Sequence, residues 1–405
     1  MLTNAQEDLI AATAPVVAEH LNAITARFYP LMFERYPEVK PLFNQTHQAS
    51  GGQARALAGA VLAYVGARHS REAVDRLLAP VVSKHVSLNI LPEHYPIVGE
   101  CLMAAIGEVL GDAVTPEIAD AWGALYGELA AVLIAAEQGR YDSFAATRGG
   151  WQGLRRFRIV RTQDESREIR SLYLAPVEGP MFSFLPGQYI GMRLTTPQGV
   201  IHRHYSLSHA PDERFCRISV KREAHGQSSQ YLHALKAGDE IELLPPAGEL
   251  TFEHAAPQSA DAPVLLLSAG VGQTPMLSLL TAALAAGRQV IYLHAARNPE
   301  VHAFDATLKA LVAQYPTQLH YQVCYEQAET LPPHAQLGII ERDWLAQQIA
   351  ATGASAESLQ AFVIGPHGFM QSMIQHLSRI GVPLSQCHHE HFGPSTPLAI
   401  DTAVA

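Results

Sequence analysis

Pro263-Val264-Leu265-Leu266-Leu267-Ser268-Ala269-Gly270-Val271-Gly272-Gln273-Thr274-Pro275 anchors the architecture of the chain. Val264–Ser268 is a continuous apolar run, the pattern of a strand in a sheet covered on both faces. A Gly-x-Gly turn follows, then an apolar helical segment. Glycines let the backbone approach a pyrophosphate, and a helix N-terminus carrying Thr274 supplies donors. Pro275 stands where a dinucleotide fingerprint has its third glycine, and proline suits the first turn of a helix. Taken alone, the turn also suits any α/β domain. Downstream, strand-like Val290–Leu293, His320–Val323 and Ala361–Ile364 alternate with helical stretches. Residues 260–405 are therefore expected to form an α/β domain with a parallel sheet.

Upstream of this stretch the texture changes. Between Leu154 and Glu253 short strand-like segments recur between turns: Phe157–Val160, Ser171–Leu174, Tyr189–Leu194 and Cys216–Val220. That spacing suits a compact antiparallel β-barrel, expected over 148–259. Thr147–Gly153 and Ala255–Asp261 read as connecting loops. Before residue 147 apolar residues recur every three or four positions, so 1–147 is expected to be all-α. The fold class is thus multidomain: all-α, then antiparallel β-barrel, then α/β parallel sheet.

Composition narrows the function. The chain has 405 residues, 48% hydrophobic and 16% charged, which excludes intrinsic disorder. Lys and Arg number 28 against 38 Asp and Glu, a net charge of -10, so a nucleic-acid partner is not expected. The N-terminus is polar and acidic, and no apolar run is expected to approach the roughly 18 residues of a membrane span. Four scattered cysteines form no Cys-x-x-Cys pair. A cytoplasmic monomer without stable membrane association is the expectation. Twenty histidines are the unusual feature, and the question is which of them act.

Three clusters carry chemistry. Leu78, Val81, Val82 and His85 share one helical face, so His85 points inward, either as a hydrogen-bonded core residue or as an axial haem ligand. In Arg203-His204-Tyr205-Ser206, Arg203 and Tyr205 project to one face of a strand. Arg can pair with a pyrophosphate, Tyr can cover an isoalloxazine and Ser can hydrogen-bond it. Tyr189, in Pro186-Gly187-Gln188-Tyr189, and the turn Gly226-Gln227-Ser228-Ser229 support that reading, the turn as a phosphate site. The third cluster is Gly270, Gly272, Gln273, Thr274 and Pro275. Arg297 follows the next strand, either to meet a 2′-phosphate or as a surface charge, which leaves NADH and NADPH both open. His388-His389-Glu390-His391 looks like a metal box, yet adjacent strand residues face opposite ways.

Phe28-Tyr29, Leu42-Phe43, Gln53 with Leu57, Lys84-His85, Tyr95, Ala121-Trp122-Gly123, Tyr126 and Glu137 together resemble the flavohaemoglobins, and the barrel and Gly-Val-Gly-Gln-Thr-Pro motifs continue that likeness across the chain. The resemblance implies a globin domain with haem b on His85, an FAD domain and an NAD(P)-binding domain. It implies Phe43 stacked on the porphyrin; Tyr29, Gln53 and Leu57 on the distal side; and Tyr95 with Glu137 behind His85. Lys84 is placed near the haem–flavin junction. FAD contacts are implied for Tyr189, Arg203, Tyr205, Ser206 and 226–229. Gly365-Pro366 is similar to the family's nicotinamide-side loop, and Glu390 with Phe392 to its residues beside the flavin. Two departures stand out, Ile364 and His391, where relatives often have Cys. The activity implied is a nitric oxide dioxygenase acting in detoxification under nitrosative stress. NADH or NADPH reduces FAD, FAD reduces haem, and O2 and NO become nitrate. The alternatives are a haem-based gas sensor and a reductase of external acceptors or peroxides.

Overall fold

The computed structural model describes residues 2–43, 52–197, 199–255 and 261–392, residues 52–58 by backbone alone. The first part is a packed set of helices: α1 (Asn4–Glu19), α2 (Leu21–Arg35), a 3-10 turn Pro37–Leu42, α3 (Gly52–Ala67), α4 (Arg71–Ser87), α5 (His94–Leu110) and α6 (Pro116–Ala145). Local chemistry marks their starts. Thr3 and Gln6 form a reciprocal capping box, and the Ser70 and Thr115 hydroxyls accept from the amides of Ala73 and Ile118. Pro116 occupies the first position of α6. Prolines 15, 30 and 80 nevertheless lie inside α1, α2 and α4. Burial of the apolar faces outweighs their local penalty: Phe28, Met32, Trp122 and Leu125 are almost wholly enclosed, and each such side chain stabilises by about 1.5–3 kcal/mol.

One expectation is corrected here. α6 contains an 18-residue window of mean hydropathy 1.4, long and apolar enough by composition to cross a bilayer. It instead forms one wall of the helical core, burying Trp122, Leu125, Leu129 and Leu133, with the Trp122 indole donating to Thr13 Oγ1 at 2.9 Å.

Next come β1 (Arg155–Asp164), β2 (Ile169–Pro176), β3 (Tyr189–Thr196), β4 (Gly199–Ser206), β5 (Cys216–Lys221), a short helix α7 (Gln227–Ala234) and β6 (Glu240–Ala247). They form one antiparallel sheet in the order β4-β3-β6-β1-β2-β5. A bridge between Leu207 and Ile218 joins its two ends and rolls the sheet into a barrel. β6 was illegible from sequence because it contains Pro245 and Pro246, residues that demote a strand. It accommodates them at a register shift against β3, where Ile190 opposes Pro246.

The last part is a parallel sheet, order β10-β9-β8-β7-β11-β12. Its elements are β7 (Val264–Ala269), α8 (Gln273–Ala285), β8 (Val290–Ala296), α9 (Asp305–Gln314), β9 (Leu319–Tyr325), β10 (Ala335–Leu337), α10 (Arg342–Ala350), β11 (Gln360–Ile364), α11 (His367–Ile380) and β12 (Cys387–His389). Val264 to Leu267 are fully buried, as a sheet covered on both faces requires. Central β7 lies between β8 and β11, so the turns after β7 and β11 sit side by side at one edge of the sheet.

Candidate functional site

His85 lies near the end of α4. Its Nδ1 is 2.7 Å from Glu137 Oε1 on α6 and 3.0 Å from the Tyr95 hydroxyl on α5. Tyr95 donates to the same carboxylate oxygen at 2.5 Å, and Tyr126 donates to the Tyr95 carbonyl at 2.8 Å. Glu137 is only 2% exposed. A carboxylate this deeply buried must be satisfied, and here two donors converge on it. With Nδ1–H given to Glu137, the Nε2 lone pair is the ring's remaining donor, which is what an iron ligand needs. The His85 side chain keeps 29% exposure beside a nearly enclosed carboxylate, leaving an open side at the imidazole. The donor set therefore fits a haem iron.

Tyr29 on α2 is buried among aromatic rings, with centroids 4.8 Å from Phe28, 5.6 Å from Phe43 and 5.9 Å from Phe33. Burial pushes its phenol above the ordinary range, so it stays protonated and able to donate. Gln53 and Leu57 fall on α3, but their side chains lie outside the described residues.

The second site is on the barrel. β3 and β4 pair Tyr189 with Ser206 and Ile190 with Tyr205. Arg203 donates to the His202 carbonyl at 2.7 Å and, among the described residues, has no carboxylate partner. Burial lowers its pKa and pushes Tyr205 up to about 12. A half-buried guanidinium without a counter-ion is a ready anion site. α7 begins after Gly226 without a side-chain cap, and a helix N-terminus is a donor end suited to a phosphate. A Cβ at 226 would stand 2.6 Å from Ser229 Oγ, and that hydroxyl donates to the Gly226 carbonyl while accepting from the Glu223 amide. These residues fit FAD.

In the third site, a 3-10 turn Gly270–Gly272 leads directly into α8. Gly270 has φ +55°, a left-handed conformation natural to glycine. A Cβ at Gly272 would stand 2.4 Å from the carbonyl oxygen of Ile364, so the two turns meet backbone to backbone. Thr274 Oγ1 closes the turn by donating to the Val271 carbonyl at 3.0 Å. Gly365 follows immediately, tight against Phe369 and Ala269. Behind the turn lies a buried network that sequence reasoning missed. The His294 and His302 rings stack at 4.9 Å, and Ser268 Oγ lies 2.8 Å from His294 Nδ1. His302 Nδ1 is 2.7 Å from the Tyr325 hydroxyl, while Tyr321 and Gln273 approach His302 Nε2. Its signal in sequence was an inward histidine on a strand, since β8 runs on through His294 to Ala296.

Arg297 forms an ion pair with Glu168 of the barrel at 2.5 Å. The junction gathers Lys84, Tyr189 and Glu390: the Lys84 ammonium is 5.9 Å from the Tyr189 ring centre. Burial raises Glu390 to about 7 against the pull of Lys84. Phe392 is exposed. His367 and His391 meet edge to face at 5.9 Å, and no group of three or more His, Cys, Asp or Glu among the described residues is placed to hold a metal.

The family models agree with this division of labour. Globin matches residues 26–133, Oxidoreductase FAD-binding domain 156–252 and Oxidoreductase NAD-binding domain 266–375. A flavohemoprotein of Pseudomonas aeruginosa is 46% identical over 405 residues, covering 98% of this chain and 100% of that protein. The chain belongs to the flavohemoprotein family. A flavohemoprotein of Deinococcus radiodurans is 41% identical, covering 98% of this chain and 99% of its own. The crystal structure of flavohemoglobin from Malassezia yamatoensis, with bound FAD and heme, superposes with a TM-score of 0.84 at 27% identity, covering 97% of this chain and 100% of that one. The FAD/NAD-binding domain of nitric oxide dioxygenase from Vibrio cholerae is 34% identical with a TM-score of 0.52, covering 59% of this chain and 99% of its own. As a flavohemoprotein this chain is an oxidoreductase whose cofactors are haem, FAD and a nicotinamide nucleotide.

Proposed function

We propose that the chain is a nitric oxide dioxygenase. Two NO and two O2, with one NAD(P)H, give two nitrate ions, NAD(P)+ and one proton. The observation that carries this reading is the Tyr95–Glu137–His85 relay in a chain that also carries a reductase. A carboxylate behind an axial imidazole makes it a stronger electron donor, the arrangement of haem proteins that activate oxygen. Bound haem and FAD supply the redox chemistry, one-electron exchange at iron and the division of a hydride into single electrons.

The protein's own residues do the rest. His85 holds the iron through Nε2, Glu137 keeps the proton on Nδ1, and Tyr95 orients Glu137. Phe43, packed against Tyr29, would lie against a bound porphyrin. Tyr29 would offer its O–H to oxygen, with Gln53 and Leu57 assigned to the same side of the haem by the family resemblance. Tyr189, Arg203, Tyr205, Ser206 and the Gly226–Ser229 turn hold FAD. Gly270, Gly272, Gln273, Thr274 and Pro275 cradle the nicotinamide nucleotide's pyrophosphate. Gly365 and Pro366 border its reactive end, and Lys84, Glu390 and Phe392 border the flavin. The working domains are 1–147, 148–259 and 260–405.

The test is NO consumption and nitrate yield from purified protein with NADH in air. Tyr29→Phe should lower nitrate production on the order of 10- to 100-fold and speed oxygen loss, with flavin reduction by NADH unchanged. Equal nitrate output from the variant sinks the distal role. A parent protein that reduces external acceptors but makes no nitrate sinks the dioxygenase reading.

A further inference from the structure

β4 is a two-sided strand. Successive strand residues point to opposite faces, so Arg203 and Tyr205 share one face and His202 and His204 share the other. The histidine face meets the helical part of the chain. His202 Nδ1 lies 3.1 Å from the carbonyl oxygen of Pro41, and His204 Nε2 lies 3.1 Å from the carbonyl oxygen of Ser87. A carbonyl can only accept, so each of these ring nitrogens carries the hydrogen. His204 is thereby fixed in its Nε2–H tautomer, and its Nδ1 lone pair accepts from the Lys84 ammonium at 3.2 Å.

The two carbonyls are not arbitrary. Pro41 lies two residues before Phe43, and Ser87 two residues after His85. One histidine thus reaches each side of the proposed haem pocket. Both histidines alternate along the strand with the residues proposed to hold FAD. Directly opposite His204 on β3 is Gly191, where a Cβ would stand 2.4 Å from the Ser87 oxygen. The absence of a side chain there lets the end of α4 settle onto the sheet. Burial holds His202 below the usual histidine range and His204 well below it, so both are neutral near pH 7. A neutral ring is what the donor-and-acceptor role of His204 demands. Other ties across this junction include an ion pair of partly exposed Arg140 with Glu249, the Gly248 amide donating to Ser83 Oγ at 3.1 Å and an edge-to-face contact of Phe144 with Phe182.

We propose that His202 and His204 are positioning residues that clasp the haem pocket to the flavin-binding strand and so set the gap that electrons cross. This rests on the flavin-to-haem route of the proposed reaction. Neither residue needs to touch a cofactor. Each acts through the backbone on either side of the pocket, and His204 also aims Lys84.

The experiment compares His202→Leu, His204→Leu, the double variant and His204→Gln as holoproteins. In anaerobic stopped flow, flavin reduction by NADH should match the parent in all four. Haem reduction should slow on the order of 10- to 100-fold in the double Leu variant, the scale on which small misplacements act. His204→Gln should recover at least half of the parent rate, because its amide donates to Ser87 and accepts from Lys84. A readout independent of turnover is hydrogen exchange, which should quicken at amides 84–90 in the Leu variants and not in the Gln variant. If the double variant does not fold, the two single variants carry the same comparison. Parent-like haem reduction and exchange in the Leu variants overturn the clasp. Equal losses in Leu and Gln variants overturn the hydrogen-bond argument for His204. A parent that shows no haem reduction by NADH refutes the electron route instead, while the exchange data still judge the clasp.

Discussion

Two buried imidazole networks of this protein invite comparison. Around His85 the partners are a carboxylate and a phenol that both serve it: Glu137 accepts and Tyr95 donates. Around His294 and His302 the hydrogen-bonding partners are Ser268, Tyr321, Tyr325 and Gln273, neutral hydroxyls and an amide. The His294–His302 pair is enclosed on all sides, whereas around His85 only the carboxylate end is enclosed and the ring keeps an open side. The difference is the buried carboxylate. An imidazole beside one becomes a strong donor at its far nitrogen, whereas imidazoles among neutral partners are held uncharged and act as packing. Burial takes His302 down to about 4 and His294 well below its ordinary range.

The comparison breaks most sharply at Glu137. Glu137→Leu removes the shared acceptor, so the Tyr95 oxygen is left to accept from His85 Nδ1–H at 3.0 Å while its own O–H has no partner. With about 1–3 kcal/mol for that unsatisfied donor and about 1.5–3 kcal/mol for the lost bond to a charged group, the helical domain should lose about 4 kcal/mol, with haem retention falling on the order of 10- to 100-fold. Chemical denaturation and retention of the Soret band check both. The next effect is one of pH. His302 has a folded pKa of about 4 and an unfolded value near 6.5, so the unfolded chain binds more protons in between. Stability is present above about pH 6.5 and lost as pH falls towards 4, about 3 kcal/mol for this group. Hydrogen exchange at β8 and α8 amides, corrected for intrinsic rate, should show that loss, and His302→Phe should flatten it. An unchanged pH slope in that variant refutes the assignment. Tyr95→Phe removes one donor and leaves the carboxylate served by His85, costing about 1 kcal/mol with a small shift of the haem spectrum. Ser268→Ala strips one neutral partner from His294 and should also cost about 1 kcal/mol or less, without altering FAD reduction by more than a few-fold.

The sequence was most informative where periodicity or a turn carried the message. The inward face of α4, the apolar run of β7 and the GxG turn were legible because local chemistry determines them. Glu137 was reached only through the family resemblance and not from spacing, since its partner lies 52 residues away and only the helix packing brings the two together. β6 was hidden by its own prolines, and the His294–His302 stack by the separation of two histidines that meet only in three dimensions. His202 and His204 stood in plain view on a strand read for Arg203 and Tyr205. The alternation that assigned those two to the flavin also placed the histidines on the opposite face, but what that face meets depends on how the domains pack. The C-terminal histidines look like a metal box by composition, but strand alternation argued against that reading, and among the described residues the packing assembles no ligand set there.

The contact of Gly272 with the carbonyl of Ile364 bears on how this enzyme can diverge. A side chain at 272 would meet both the carbonyl and the wholly buried side chain of Ile364 and push the two turns apart, so position 272 acts as a fixed hinge pin between them.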